Sequence, residues 1–306
     1  MPWWFFRRRR SSPALAAQMP KSKPAAETLP QPRSHDSRRY LDEQPYMLPK
    51  DLGEVNRLDF QHYVLRAVLR GNYLAPIGQP RRILDVGCGT GQWAFELAHQ
   101  FPQAEVIGLD LEQVKATTPP PNYRFIQGNI LQGLPFENNS FDFVHQRLLF
   151  LAIPLNAWPD AVKELARVTA PGGWLELVEL STDPNDFAPI GPATREFFRL
   201  ASQVATLRGF DTQGVLTRSL DLYLREAGLI NVERRLIDTP IGGWAGRLGS
   251  LLSLDIREAW KAMTPPIAAY FKIPEQEIYD TIEQAGKEWD SLQTHYCFIA
   301  AYGQKP

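Results

Sequence analysis

The run Ile83-Leu-Asp-Val-Gly-Cys-Gly-Thr-Gly91 constrains this 306-residue chain more than any other stretch. An apolar strand ends beside an acidic residue and turns on three glycines spaced two apart. Without a Cβ, Gly87, Gly89 and Gly91 let the backbone bend tightly and a ligand come close. Gln92 to Ala98 then reads as a helix whose first N–H groups face the turn. Strand, glycine turn and helix in succession make the nucleotide-handling corner of a parallel α/β sheet. Spacing narrows the reading. A dinucleotide fingerprint wants a third glycine at position 92, where glutamine stands.

Asp85-x-Gly-x-Gly-x-Gly91 resembles motif I of the class I S-adenosylmethionine (SAM) dependent methyltransferases, and the likeness continues over roughly 100 residues. Val106-Ile-Gly-Leu-Asp110 resembles that family's second strand. Phe125 to Ile130, Leu134-Pro-Phe136 and Ser140 to Val144 resemble its third and fourth, and Ala170-Pro-Gly-Gly-Trp-Leu-Glu-Leu177 the turn into its fifth. The resemblance implies an α/β fold: a Rossmann-like, doubly wound, seven-stranded sheet with its last strand antiparallel and extra helices forming a lid. It also implies SAM as cofactor. Asp85 would reach the cofactor's ammonium or orient the loop through local N–H bonds, and the two roles are compatible. Gly87, Gly89 and Gly91 would pass close to its methionine and ribose. Asp110, followed by Leu111, would accept both ribose hydroxyls, the alternative being a polar strand-end residue. Asn129 stands where many relatives carry Asp; its amide oxygen would accept from the adenine amino group, beside the Ile130 backbone N–H. His145 and Gln146 follow the fourth strand, where cofactor and substrate meet.

Methyl transfer is an in-line displacement, so the acceptor atom must be aligned about 3 Å from the methyl carbon. A phenol or alcohol also needs help losing its proton, which suits a histidine. His145 is therefore the candidate base, a strand-end histidine bonded to backbone being the other reading. Glu179 and His62 are further candidates. The run Tyr46-Met-Leu-Pro-Lys-Asp51, with Glu54, Arg57, Asp59 and His62, is similar to a segment before motif I in methyltransferases of fungal secondary metabolism. That likeness points to a small-molecule acceptor. Arg57 and Asp59 read equally well as a surface ion pair. Trp93, Trp158, Trp244 and Phe150 are candidates for an apolar pocket or for plain core.

Charge is unevenly spread. Residues 1–39 hold nine Lys/Arg against two Asp/Glu, while the whole chain carries a net −1. Positions 40–306 are thus mildly acidic, which argues against a large nucleic-acid surface. Two cysteines, Cys88 and Cys297, make neither a disulfide framework nor a metal cluster, and the expected compartment is the cytoplasm. No apolar run approaches the ~18 residues of a membrane span. Residues 1–39 read as a disordered basic tail, in which Trp3 to Arg10 is a candidate for contact with an anionic surface. Residues 40–306 read as one methyltransferase domain, with a cofactor half at about 80–180 and lid and substrate elements at about 40–75 and 183–290.

Periodicity predicts helices over 59–74, 92–99, 160–168, 194–207, 217–227, 244–263 and 274–292. Strands are expected over 82–86, 106–109, 123–127, 141–145, 174–180, 230–237 and 295–302, with Gly228 ending the helix before it. An NAD(P)-dependent oxidoreductase and a non-catalytic SAM-binding regulator remain as alternatives. Gln92 and the later motifs count against the first; the second shares every feature of the pocket.

Overall fold

Short apolar runs alternating with amphipathic helices produce one open sheet covered on both faces. The computed structural model describes Leu48, residues 52–114 and residues 118–306. The basic tail, its Trp3–Arg10 segment and most of the Tyr46–Asp51 run lie outside the described residues. In chain order the elements are α1 (Leu52–Leu69), β1 (Arg82–Val86), α2 (Gln92–Gln100), β2 (Glu105–Asp110), β3 (Tyr123–Gln127), β4 (Phe141–Arg147), α3 (Trp158–Val168) and β5 (Thr169–Leu180). Then come β6 (Phe187–Ala188), α4 (Pro192–Leu207), α5 (Val215–Glu226), β7 (Ile230–Pro240), α6 (Gly246–Phe271), α7 (Glu275–Leu292) and β8 (His295–Gln304).

The sheet runs β3-β2-β1-β4-β5-β8, and β7 pairs the far side of β8. The first five strands pair in parallel, as right-handed crossovers require. β8 lies antiparallel between β5 and β7, as expected for the last strand. One strand was not anticipated. Phe187–Ala188 pairs with Tyr296 and His295 of β8, continuing the edge that β5 leaves at Leu180, so the sheet has eight strands.

Alternation along the strands separates two cores. Ile83, Val106, Phe143 and Tyr302 pack with Trp93 and Leu97 of α2 on one face. Leu84, Val86, Ile107, Val144 and Leu177 pack with α3 and α5 on the other. A third cluster forms beyond β5, where α4, α6 and α7 meet. Trp260 stacks on Phe197 at 3.9 Å and meets Trp289 edge-on at 5.2 Å.

Two element ends show local chemistry against tertiary packing. α5 stops as the sequence predicts: Gly228 takes φ 86°, its N–H bonds Arg225 O, and Leu229 N–H bonds Leu224 O. Those two bonds are the Schellman pair, and the left-handed position suits glycine. α6 does not stop at Met263 but runs through Pro265 and Pro266 to Phe271. A proline inside a helix costs about 3 kcal/mol or more. Burial of Trp260, Met263, Ile267 and Ala268 in the third cluster offsets that cost, and periodicity alone does not register it.

Candidate functional site

The glycine turn is built as its sequence demands. Gly87 and Gly89 take φ of 72° and 53°, where L side chains are strained. A Cβ on Gly87 would lie 2.6 Å from Leu149 Cδ2, so a side chain there would displace Leu149 besides straining a left-handed backbone. Gly87 N–H and Cys88 N–H bond Leu109 O at 2.8 and 3.1 Å, which ties the turn to the end of β2. Asp110, next in β2, accepts from Gly89 N–H at 2.8 Å through Oδ2 and from Leu111 N–H at 2.7 Å through Oδ1. Both backbone donors aim its carboxylate. Gly91 opens α2 at φ 84°.

Around this turn lies a cavity of about 470 Å³. Of the residues expected to hold a cofactor, Asp85, Gly87, Gly89, Asp110, Leu111, Asn129, Ile130 and His145 all line it. Gly91 and Gln146 do not line it. Gly91 serves the helix start instead, and Gln146 points to the opposite face of β4 from His145 because strand side chains alternate. There Gln146 is fully buried and donates to Glu179. Asn129 caps a short 3₁₀ turn, accepting from Leu131 N–H at 3.0 Å. Gln127 holds the Leu111 carbonyl at 2.9 Å, a scaffold contact.

His145 and Asp85 face each other across β4 and β1 in register. His145 Nδ1 lies 3.1 Å from Asp85 Oδ1, and the imidazole stacks on Trp93 at 3.8 Å with planes 6° apart. Burial lowers the His145 pKa below its ordinary value despite Asp85, so the ring is neutral near pH 7. Nδ1 then donates to Asp85, leaving the lone pair on Nε2, which has no hydrogen-bond partner among the described residues.

Two further ion groups border the cavity from α1 and α6. Arg57 binds Glu54 at 2.9 and 2.6 Å and meets Asp255 of α6 at 3.5 Å. It is a buried cross-helix pair, not a surface pair with Asp59. His62 bridges Arg147 Nη2 at 3.3 Å and Glu96 Oε1 at 3.4 Å. Burial, then Arg147, lowers the His62 pKa. Glu179, by contrast, lies outside the cavity lining. It accepts from Gln146, from Leu149 N–H at 2.9 Å and from Phe150 N–H at 3.1 Å, and so pins the loop after β4. Burial pushes its pKa up to about 7.

The aromatic candidates divide. Trp93 and Phe150 line the cavity, Trp158 is fully buried against the α3 face, and Trp244 is partly exposed outside the lining. Sequence reasoning missed Trp260, Phe197 and Phe198, which line the cavity from α6 and α4. Nothing in their local spacing separates a cavity wall from ordinary core. Among the described residues no helix is long and apolar enough to cross a membrane.

A family model described as "Methyltransferase domain" matches residues 83–173. Over 245 residues the chain is 31% identical to the secondary metabolism regulator LAE1 of Cochliobolus heterostrophus, covering 75% of this chain and 77% of that protein. It is 40% identical over 133 residues to methyltransferase str2 of Strobilurus tenacellus, 43% of this chain and 47% of that protein. The match therefore spans about half the length of str2. Among solved structures, a chain from the complex between the Haloferax volcanii Trm112 methyltransferase activator and a methyltransferase aligns over 83% of this chain and 95% of its own length. The TM-score is 0.50 at 16% identity, so what the two share is the fold.

Proposed function

The chain belongs to the SAM-dependent methyltransferases, and from that footing we propose that it transfers a methyl group from SAM to a small acceptor with a largely apolar body. One observation carries this reading. Asp85 and Asp110 line the same cavity as the glycine turn, and its walls continue as Phe197, Phe198 and Trp260 beneath α4 and α6. The donor set fits the cofactor, since an ammonium and a ribose diol both need acceptors, and two carboxylates are placed to supply them. SAM, when bound, supplies a methyl carbon made electrophilic by its sulfonium.

The protein's own residues do the rest. Asp110, held by Gly89 and Leu111, would grip the ribose. Asp85, oriented by His145, would take the ammonium. Leu111, Asn129 and Ile130, on the cavity wall, would border the adenine. His145 is the proposed proton acceptor, its Nδ1 occupied by Asp85 and its lone pair on Nε2. Helices α1, α4 and α6 act as the lid, keeping water from a reactive methyl donor.

A second reading is favoured by the wide match to LAE1, a protein named as a regulator. In that case the same pocket binds SAM without a small-molecule acceptor. Isotope-labelled SAM incubated with metabolite extracts and the protein separates the two. We expect a product carrying the labelled methyl group. Calorimetric binding of S-adenosylhomocysteine with no labelled product would favour the regulator, and no binding would sink both readings.

A further inference from the structure

Arg147 is the cavity group that the cofactor reading leaves unused. It is the last residue of β4 and lies on the same strand face as His145, two positions along. It lines the cavity. The one hydrogen bond of its guanidinium among the described residues is Nη2 to His62 Nδ1 at 3.3 Å, and Nη1 is shut off from solvent with no partner. No carboxylate of the described residues stands within 4.0 Å of the guanidinium.

The other arginines of the cavity differ. Arg57 is held by Glu54 and Asp255, and Arg199 by Glu196 at 2.8 and 2.6 Å. Arg195 is exposed at the rim and holds the Ile190 carbonyl at 2.6 Å. Arg147 thus combines a fixed aim with the absence of a carboxylate in contact, while Asp85, Asp255, Glu176 and Glu96 act on it from beyond 4.0 Å. His62 sets that aim. With Nε2 toward Glu96 and a lowered pKa, its neutral ring presents the Nδ1 lone pair to the guanidinium.

Resting on the methyltransferase reading, we propose that the acceptor bears an anionic oxygen group of the carboxylate class, seated on Arg147, while its apolar body lies against Phe150, Phe197, Phe198 and Trp260. A guanidinium is planar and always charged, and its paired N–H groups match a carboxylate edge to edge. Apart from its bond to His62 the guanidinium makes no hydrogen bond among the described residues, and an anion brought in by the acceptor supplies a partner on the side that lines the cavity. The arrangement would select an acid over its neutral amide, since the amide's NH₂ would face another donor.

The competing occupant is the cofactor's own carboxylate, so the test runs with the cofactor site filled. Full-length protein saturated with S-adenosylhomocysteine is titrated calorimetrically with naphthoate and with naphthamide. We expect naphthoate to bind, and naphthamide to bind more weakly by about tenfold or more. Arg147→Met should weaken naphthoate by about tenfold or more while leaving S-adenosylhomocysteine affinity unchanged, and Arg147→Lys should retain the preference for acid over amide. Equal naphthoate affinity in wild type and R147M, or no naphthoate binding to wild type, overturns the proposal. So does naphthoate that binds the free protein but is expelled by S-adenosylhomocysteine, which would give Arg147 to the cofactor. If S-adenosylhomocysteine itself fails to bind, the methyltransferase reading falls. Naphthoate alone against wild type and R147M then still decides the Arg147 site.

Discussion

Replacing Asp110 by asparagine and by alanine separates a ligand grip from a loop strut. The carboxylate holds Gly89 N–H through Oδ2 and Leu111 N–H through Oδ1, so among the described residues each oxygen has a backbone donor. A ribose diol would add one hydroxyl donor to each oxygen. Asparagine keeps one oxygen and turns an NH₂ toward the other set of donors; alanine keeps neither. Hydrogen bonds to a charged group contribute about 1.5–3 kcal/mol each. Using the lower figure, D110N should weaken S-adenosylhomocysteine about tenfold and D110A about a hundredfold. Isothermal calorimetry on the two variants and wild type reads this directly. Urea unfolding without ligand reads the strut, where each lost backbone bond should cost about 1 kcal/mol. Affinities within about threefold of wild type in both variants, with stability reduced as expected, would leave Asp110 as a strut and refute the ribose assignment.

His145→Ala should cut turnover by about a hundredfold or more if His145 is the base, with a much smaller loss of cofactor affinity through Asp85. The acid limb of wild-type turnover should fall below the ordinary histidine value of 6.5, because burial lowers the His145 pKa. Parallel loss of affinity and turnover would show that the residue acts by holding Asp85. Glu176 offers a pH test. It is fully buried, accepts from Leu74 N–H at 2.7 Å and Ala75 N–H at 2.6 Å, and burial pushes its pKa up to about 7 from 4.5. A carboxyl raised on folding favours the folded state below pH 4.5, and this contribution is lost as pH rises toward 7. The loss is about 3 kcal/mol by linkage. The stability of Glu176→Gln relative to wild type should therefore rise by about that amount from pH 4 to pH 8. A difference independent of pH in urea titrations would refute it.

The order of strands and helices, the glycine turn and the acid at the end of β2 were readable from the chain because each is local. A turn of positive φ needs glycine wherever it occurs, and an apolar run of five residues between breakers becomes a strand in most settings. Gly228 ends α5 for the same reason. The part of the cavity around the glycine turn follows from this, with Asp85, Asp110, Leu111, Asn129, Ile130 and His145 all on its walls. Gln146 escaped because neighbouring strand residues face opposite ways, and the sequence does not say which face holds the pocket.

What lies over the glycine turn was decided only by packing. His145 meets Asp85 across 60 residues, Arg147 meets His62 across 85, and Gln61 of α1 reaches Asp255 of α6 across 194. No periodicity encodes such separations. They arise because α1 and α6 bury their apolar faces at the same edge of the sheet, and the charged residues those helices carry must then find partners inside. The same burial draws α6 straight through Pro265 and Pro266. Local sequence determined where Asp85 and Asp110 stand; the energy of covering the sheet determined which arginines look into the cavity and which are already paired.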